Sequence, residues 1–546
     1  MRSRDLGIRS TIILVLLTVA AIFVSGYHPG VEDDFVYLPA IKFDLHPALY
    51  PQDADFFRLQ LQATIFDKVV AASVRLTHMP LTWALLIWQA AAIFLVLLGC
   101  WKIARRCFAE ERSRWAGVTL IAVLLTMPVA GTSLFLVDQH LHPRALATAF
   151  CLFGITAILD RRILRAVLWI ALAFTFHPIM AAFGASYCVF LAWPQTWMVF
   201  PHGHERDQTA PLSRSTRTAA TRSSAALLPL GFLRPLTALI ASAVPLGWIF
   251  EKPTPAWREA AGTRSYYFLG RQTWYEWLGT FAPLLILWWF SRVGERPEFQ
   301  PGDNTIARWP DRPMAGSTLS FMSRRLIWFG IFQFAVTLAI MIPPQIERFR
   351  TLQPLRYLHL VYLLMLLFAG GLIGKYILKA KIWRWALLFV PIACGMFWSQ
   401  RMEFPDTPHW EMPWNTAWHG PASRTTNQWV KAFLWVRNNT PADAYFALGP
   451  RYYQLAGEDW HSFRALAERS QLADAVKDPS VSTQVPRLAV RWQRESHAQD
   501  GWEFFQKPDF QRLKRDFGVN WVVLDHDVAG LQCPYVSPAV RVCHID

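Results

Sequence analysis

The residues best equipped for chemistry gather in a few short stretches. Glu32, Asp33 and Asp34 stand side by side in GYHPGVEDDFVYLPA, directly after the first apolar segment. Adjacent carboxylates raise one another's pKa and are costly near a membrane unless they share a proton or a cation. Such a group suits a general base or the ligands of a divalent ion, and a solvated acidic loop is the competing reading. Asp138, His140, His142 and Arg144 lie close together ahead of an apolar run. Two histidines at that spacing can carry protons or join a metal site, although no third ligand is near them in sequence. Arg144 at an apolar helix start calls for an anion, either a phosphate or one of these carboxylates. His177 precedes Pro178 within an apolar stretch, where a helix break with an internal hydrogen bond competes with a catalytic duty. Arg348, Arg350 and Arg356 crowd PPQIERFRTLQPLR. A cation such as Arg356 in a first helical turn runs against the helix dipole and implies an anionic partner. Phosphate and the acidic triplet are both candidates.

The elements that must position these groups are apolar. The chain has 546 residues, 53% hydrophobic and 17% charged, against about 25% charged in soluble domains. A mean hydropathy of +0.21 excludes a disordered or acidic-tail protein. Runs long enough to cross ~30 Å of hydrocarbon predict about eleven helices, at 11–25, 81–100, 116–129, 145–159, 166–176, 179–200, 226–250, 278–290, 326–342, 355–372 and 382–397. Arg2, Arg4 and Arg9 precede the first run and no convincing cleavage site follows it, so it reads as an uncleaved signal anchor with its N-terminus inside. Alternating sides from there collects 25 basic and 10 acidic residues on the inner face, against 12 and 12 on the outer face. That asymmetry fixes the orientation by the positive-inside rule.

The expected fold is therefore mainly α. A polytopic transmembrane bundle, N-in and C-out, occupies 1–399 with a long first outer loop at 26–80, and a small extracytoplasmic α/β domain follows at 400–546. Alternation at 59–76 predicts one amphipathic helix, lying in the interface or packed under the tail domain, two placements that are compatible. In the tail, helices are expected at 429–438, 463–476 and 509–517, and buried strands at 444–448 and 521–524. The tail holds 16 basic and 17 acidic residues, so the net +15 of the chain resides in the bundle. The charge is a topology signal, and no nucleic-acid partner is implied. The seven cysteines show no zinc spacing. Cys533 and Cys543, in an oxidising compartment, are either a disulfide or two free thiols. Walker, Gly-x-Gly-x-x-Gly, Gly-x-Ser-x-Gly and His-Glu-x-x-His motifs are missing, which removes the usual support for nucleotide hydrolysis and zinc proteolysis.

The arrangement resembles the GT-C superfamily of membrane glycosyltransferases. The resemblance rests on the acidic triplet after the first helix with Tyr37 following, on the long loop to Pro80, and on WVRNNTP at 435–441, which is similar to the tail-domain opening of several such proteins. It implies an inverting transferase of a bacterial inner membrane that takes sugar from a polyprenyl-phosphate lipid and passes it to a glycan, lipid or protein acceptor on the outer face. It implies Asp33 or Asp34, with Glu32 beside them, as base or as ligand of Mg or Mn, and Arg144, Arg356, Arg348 and Arg350 around the lipid phosphate. His140, His142 and His177 are accessory candidates. The triplet departs from the Asp-Glu pair common in that superfamily, and no Trp-Trp-Asp motif stands in the tail. The alternatives are a transporter or lipid flippase, for which Arg234 is the one basic residue within an expected helix, and a non-catalytic membrane protein with a partner-binding tail.

Overall fold

The computed structural model describes residues 7–193, 251–299, 308–309, 312–313, 317–414 and 426–546. Helix α1 (Ile8–Ser25) ends at Gly26, whose φ is +80°. A Cβ there would lie 2.9 Å from His28 Nε2 and 3.1 Å from the His409 carbonyl, so glycine lets the chain turn beside the segment that enters the tail. The first outer loop then folds as α2 (Asp34–Leu45), α3 (Asp55–Leu61) and α4 (Phe66–Thr77). The single amphipathic helix expected at 59–76 is thus two helices. The chain breaks at 62–65, and the Ile65 N–H leaves the helical ladder to bond the Thr175 carbonyl at 3.0 Å. No glycine or proline marks that break, and a contact made over a hundred residues away decides it.

The bundle continues with α5 (Leu81–Cys107), α6 (Glu111–Val123), α7 (Pro143–Leu159), α8 (Ile163–Phe176), α9 (Pro178–Ala192), α10 (Pro255–Gly262), α11 (Trp274–Val293), α12 (Thr318–Met341), α13 (Leu358–Ile373) and α14 (Ile382–Glu403). Against about eleven expected crossings, five described helical segments are long and apolar enough to cross a membrane: Ile8–Ser25, Leu81–Cys107, Thr318–Met341, Pro354–Leu378 and Ile382–Glu403. Three shorter apolar helices, α7, α8 and α9, join them. The helix expected at 226–250, with Arg234, lies outside the described residues. Large apolar side chains such as Ile382, Leu387 and Trp398 stand exposed along α14, the face a lipid-contacting helix presents.

Small residues bring two helices into backbone contact. A Cβ on Gly370 of α13 would sit 2.8 Å from Gly117 Cα of α6, and one on Gly117 would sit 2.6 Å from the Leu367 carbonyl. Close approach of this kind replaces the hydrophobic drive that helices lack in lipid. Gly370→Leu should therefore destabilise the fold by about 1–3 kcal/mol through overpacking, read as a lowered thermal midpoint of the detergent-solubilised protein.

The tail comprises α15 (Gln428–Asn439), β1 (Tyr445–Leu448), α16 (Phe463–Ala467), β2 (Ser470–Gln471), α17 (Asp478–Gln484), α18 (Arg487–His497), α19 (Lys507–Phe517), β3 (Trp521–Leu524), β4 (Gln532–Val536) and β5 (Arg541–His544). The sheet order is β2-β1-β3-β5-β4, with β1 parallel to β2 and β3, and β5 antiparallel to β3 and β4. Cys533 on β4 and Cys543 on β5 are joined in a disulfide. The helix expected at 463–476 stops at Ala467, because Glu468 turns left-handed with φ +56° and Ser470 and Gln471 pair onto the edge of β1.

The tail is welded to the first outer loop. Lys42 Nζ donates to the Ala465 carbonyl at 2.7 Å and pairs with Glu468. Arg464, fully buried, bridges Asp53 of the loop and Asp478 of α17. The Ser462 N–H bonds the Gly30 carbonyl at 2.9 Å, and the Glu32 N–H bonds the Trp460 carbonyl at 3.1 Å.

Candidate functional site

The carboxylate triplet is pulled apart by its own backbone. Glu32 adopts φ +50°, a region that non-glycine residues enter only when surrounding structure holds them there. The three side chains consequently point into three environments. Glu32 turns to the tail and pairs with Lys477. Asp34, in the first turn of α2, is buried and accepts the Gly30 N–H at 2.8 Å. Asp33, with 46% of its side chain exposed, opens into a cavity of about 200 Å³.

That cavity is roofed by the loop, the bundle and the tail together. Asp33, Tyr37, Gln60 and Thr64 come from the outer loop, and Phe176, His177 and Ile179 from the junction of α8 and α9. Tyr266, Gln353 and Arg356 come from the later bundle segments, and Ser480 and Gln484 from α17. The α8–α9 junction joins two apolar helices, so the cavity sits at the end of that helix pair.

His142 sets the state of Asp33. It caps α7, and its Nδ1 accepts the Arg144 backbone N–H at 3.0 Å. An imidazole nitrogen that accepts an N–H carries no proton, so the proton sits on Nε2, which lies 3.3 Å from Asp33 Oδ2. Tyr37 meets the imidazole edge-on at 4.7 Å and fixes its plane. Burial, with the Arg144 charge behind it, pushes the His142 pKa down to about 4, so the ring is neutral at pH 7. Burial would raise the pKa of Asp33. The hydrogen bond from His142, with the charges of Lys477 and Arg144, outweighs it and holds the carboxyl well below its usual range. Burial pushes Asp34 the other way, up to about 6, despite His140 and the Gly30 N–H. Two neighbouring aspartates thus differ in protonation below about pH 6.

His142→Leu should move the Asp33 titration upward, because it removes the donor and leaves the desolvation. A lowered pKa keeps Asp33 ionised throughout about pH 5–7 in the parent protein. In the variant the Asp33 titration should enter that window, and carboxyl chemical shifts followed against pH by NMR check it.

The other predicted residues divide into two groups. Arg356, on the 3-10 turn Pro354–Tyr357, lines the cavity and is the only cation that does so among the described residues; its Nε has no hydrogen-bond partner there. His177 lines it too, capping α9 by accepting the Met180 N–H at 3.4 Å. Arg144 is buried behind His142, with Nη2 at 2.6 Å from both carboxylate oxygens of Asp138. His140 is buried next to it, and both its ring nitrogens lack hydrogen-bond partners among the described residues. Neither Arg144 nor His140 lines the cavity. Arg348 faces the tail, donating to the Thr483 carbonyl and to the Gln484 carbonyl at 2.9 Å. It thereby satisfies the C-terminal end of α17, where a cation is favoured. Arg350 lies over the Phe268 ring at 5.2 Å and away from the cavity. Sequence reasoning missed Gln60 and Gln353, since a lone amide carries no spacing signal.

The residues do not build an all-protein cage for Mg or Mn. Among the described residues no three of His, Cys, Asp and Glu converge on a point that could hold an ion. The triplet diverges, and Asp34 and Asp138 are held by Gly30 and Arg144.

No family model matches this chain, and no curated protein matches it. Among solved structures it is similar to the archaeal oligosaccharyltransferase AglB from Archaeoglobus fulgidus in complex with an inhibitory peptide and a dolichol-phosphate. The identity is 12% and the TM-score 0.44, over 94% of this chain and 69% of that one. The apo form of the Archaeoglobus fulgidus oligosaccharyltransferase is similar at 14% identity and TM-score 0.42, over 96% and 70%. Its complex with Zn and sulfate is similar at 13% and 0.41, over 94% and 67%.

Proposed function

We propose that this chain is a membrane glycosyltransferase of GT-C type that moves a sugar from a polyprenyl-phosphate lipid to an acceptor on the outer face of a bacterial inner membrane. The observation that carries the reading is the placement of one ionised carboxylate, Asp33, and one cation, Arg356, on the same small cavity. Asp33 takes the proton from the acceptor heteroatom as that atom attacks the anomeric carbon. The bond from the anomeric carbon to the phosphate oxygen breaks, its electron pair stays on the phosphate, and Arg356 meets the charge that develops. His142 keeps Asp33 ionised and aimed. Among the described residues Asp33 is the only carboxylate lining the cavity. With Asp33 acting as the base for the acceptor and not as a nucleophile, the acceptor attacks the anomeric carbon directly and the displacement inverts it.

The orientation rests on the excess of basic residues along the inner loops. It puts the cavity, the tail and the Cys533–Cys543 disulfide on the oxidising side. The purified full-length chain, supplied with polyprenyl-phosphate-linked hexose and a membrane extract as acceptor source, should release free polyprenyl phosphate as sugar is incorporated. Folded protein that releases none from any such donor would falsify the reading.

A further inference from the structure

Apart from Asp33 and Arg356, the polar groups on the cavity wall are neutral, and two of the amides among them, Gln353 and Gln60, each have a buried Oε1 without a hydrogen-bond partner among the described residues. Gln353 is only 5% exposed. It sits at φ +50° between the 3-10 turns Pro344–Leu352 and Pro354–Tyr357. Its Nε2 faces the Tyr267 hydroxyl at 3.5 Å, and that hydroxyl meets Thr483 Oγ1 at 3.0 Å. The amide is thereby oriented, and Oε1 remains a buried acceptor with no partner among the described residues. Gln60, at the end of α3, has a buried Oε1 in the same condition. A buried acceptor without a donor is costly, and the cost is lifted when a ligand hydroxyl donates to it. Tyr37, Phe176 and Tyr266 supply apolar ring surface on the same wall. The volume of about 200 Å³ is below the ~300–1,000 Å³ of pockets for drug-sized molecules. It accommodates one ring.

We propose that Gln353 and Gln60 accept hydrogen bonds from the hydroxyls of a single uncharged sugar ring, and that Gln353 selects the donor sugar. The assignment rests on the glycosyl-transfer reading above. It makes the substrate class a polyprenyl-phosphate lipid bearing one neutral hexose. Longer glycans and uronic acids are disfavoured, the first by volume and the second because no second cation lines the cavity among the described residues.

The test uses full-length protein in detergent with four kinds of polyprenyl-phosphate donor: a neutral hexose, its monodeoxy analogues, the matching uronic acid and a disaccharide. The parent protein should prefer the hexose and lose about 10- to 100-fold in kcat/KM on at least one deoxy analogue. Gln353→Met, which keeps length and packing, should lose about as much on the hexose and no longer distinguish it from that analogue. Gln60→Met provides the same readout if Gln353→Met does not fold. Discrimination unchanged in both variants, or a preference for the uronic acid or the disaccharide, overturns the assignment while leaving sugar transfer intact. No transfer by the parent protein from any donor overturns the transfer reading and this assignment together.

Discussion

Asp33→Asn is expected to lower sugar transfer by about a hundred- to ten-thousand-fold, the range associated with loss of a positioned general base, without loss of folded protein. The side chain is 46% exposed to the cavity, and its amide replacement fits the same space. Its folded pKa is held low, so the carboxylate contributes stability above the unfolded value and loses it as pH falls. Surface-like screening keeps that contribution small. The informative partner is Asp34→Asn. Asp34 titrates near 6 because it is buried, so its charged form is disfavoured in the folded state above that pH. An amide imitates the protonated carboxyl and still accepts the Gly30 N–H, and this variant should keep transfer and unfold at equal or higher temperature at pH 7–8. Equal loss of activity in the two variants would refute the division of labour between them. Turnover of a polyprenyl-phosphate donor and thermal unfolding, measured on the same preparations, separate the outcomes.

Arg356→Gln should reduce kcat by about a hundred- to a thousand-fold, comparable to removing one preorganised donor from a developing charge, with a smaller change in KM. The donor phosphodiester carries one negative charge and gains a second as the sugar leaves. A cation beside it therefore interacts more strongly with the transition state than with the bound donor, which places the loss in kcat. Arg356→Lys should recover part of the rate, since charge is kept and the guanidinium fork is not. Arg348→Gln is the control. Arg348 binds the carbonyls of Thr483 and Gln484, so its loss should lower the unfolding temperature and leave kcat per folded molecule nearly unchanged. A KM-only effect for Arg356→Gln would remove it from the reacting phosphate.

The apolar runs made the bundle legible, because hydrocarbon thickness and the ban on unsatisfied backbone allow few alternatives. The buried strands Tyr445–Leu448 and Trp521–Leu524, and the ends of α15 and α19, were legible for a similar reason, being short apolar runs with clear stops. What sequence could not show is the direction in which adjacent residues point. Glu32, Asp33 and Asp34 look equivalent as a string, and a left-handed turn at Glu32 sends them to Lys477, to the cavity and to Gly30. The four arginines read as phosphate ligands were separated in the same way: Arg356 reaches the cavity, Arg144 is taken by Asp138, Arg348 by α17, and Arg350 lies against Phe268. The helix α2 was hidden by Pro39 in its interior, a residue that ordinarily argues against one.

The bonds between the first outer loop and the tail also govern the order in which the protein can come into being. Asp53 waits for Arg464 across 411 residues, Lys42 for Glu468 across 426 and Glu32 for Lys477 across 445. During synthesis the loop emerges early and the residues that clamp it to the tail emerge among the last, so until then the loop holds only its contacts to earlier residues, such as Ile65 to Thr175 and Asp33 to His142. Closing such distant pairs is slow relative to forming local helices. A ribosome that stalls before Lys477 therefore leaves behind a chain whose Glu32 has no tail partner and whose cavity lacks the wall that Ser480 and Gln484 supply, so completeness of translation becomes a condition for the whole site to exist.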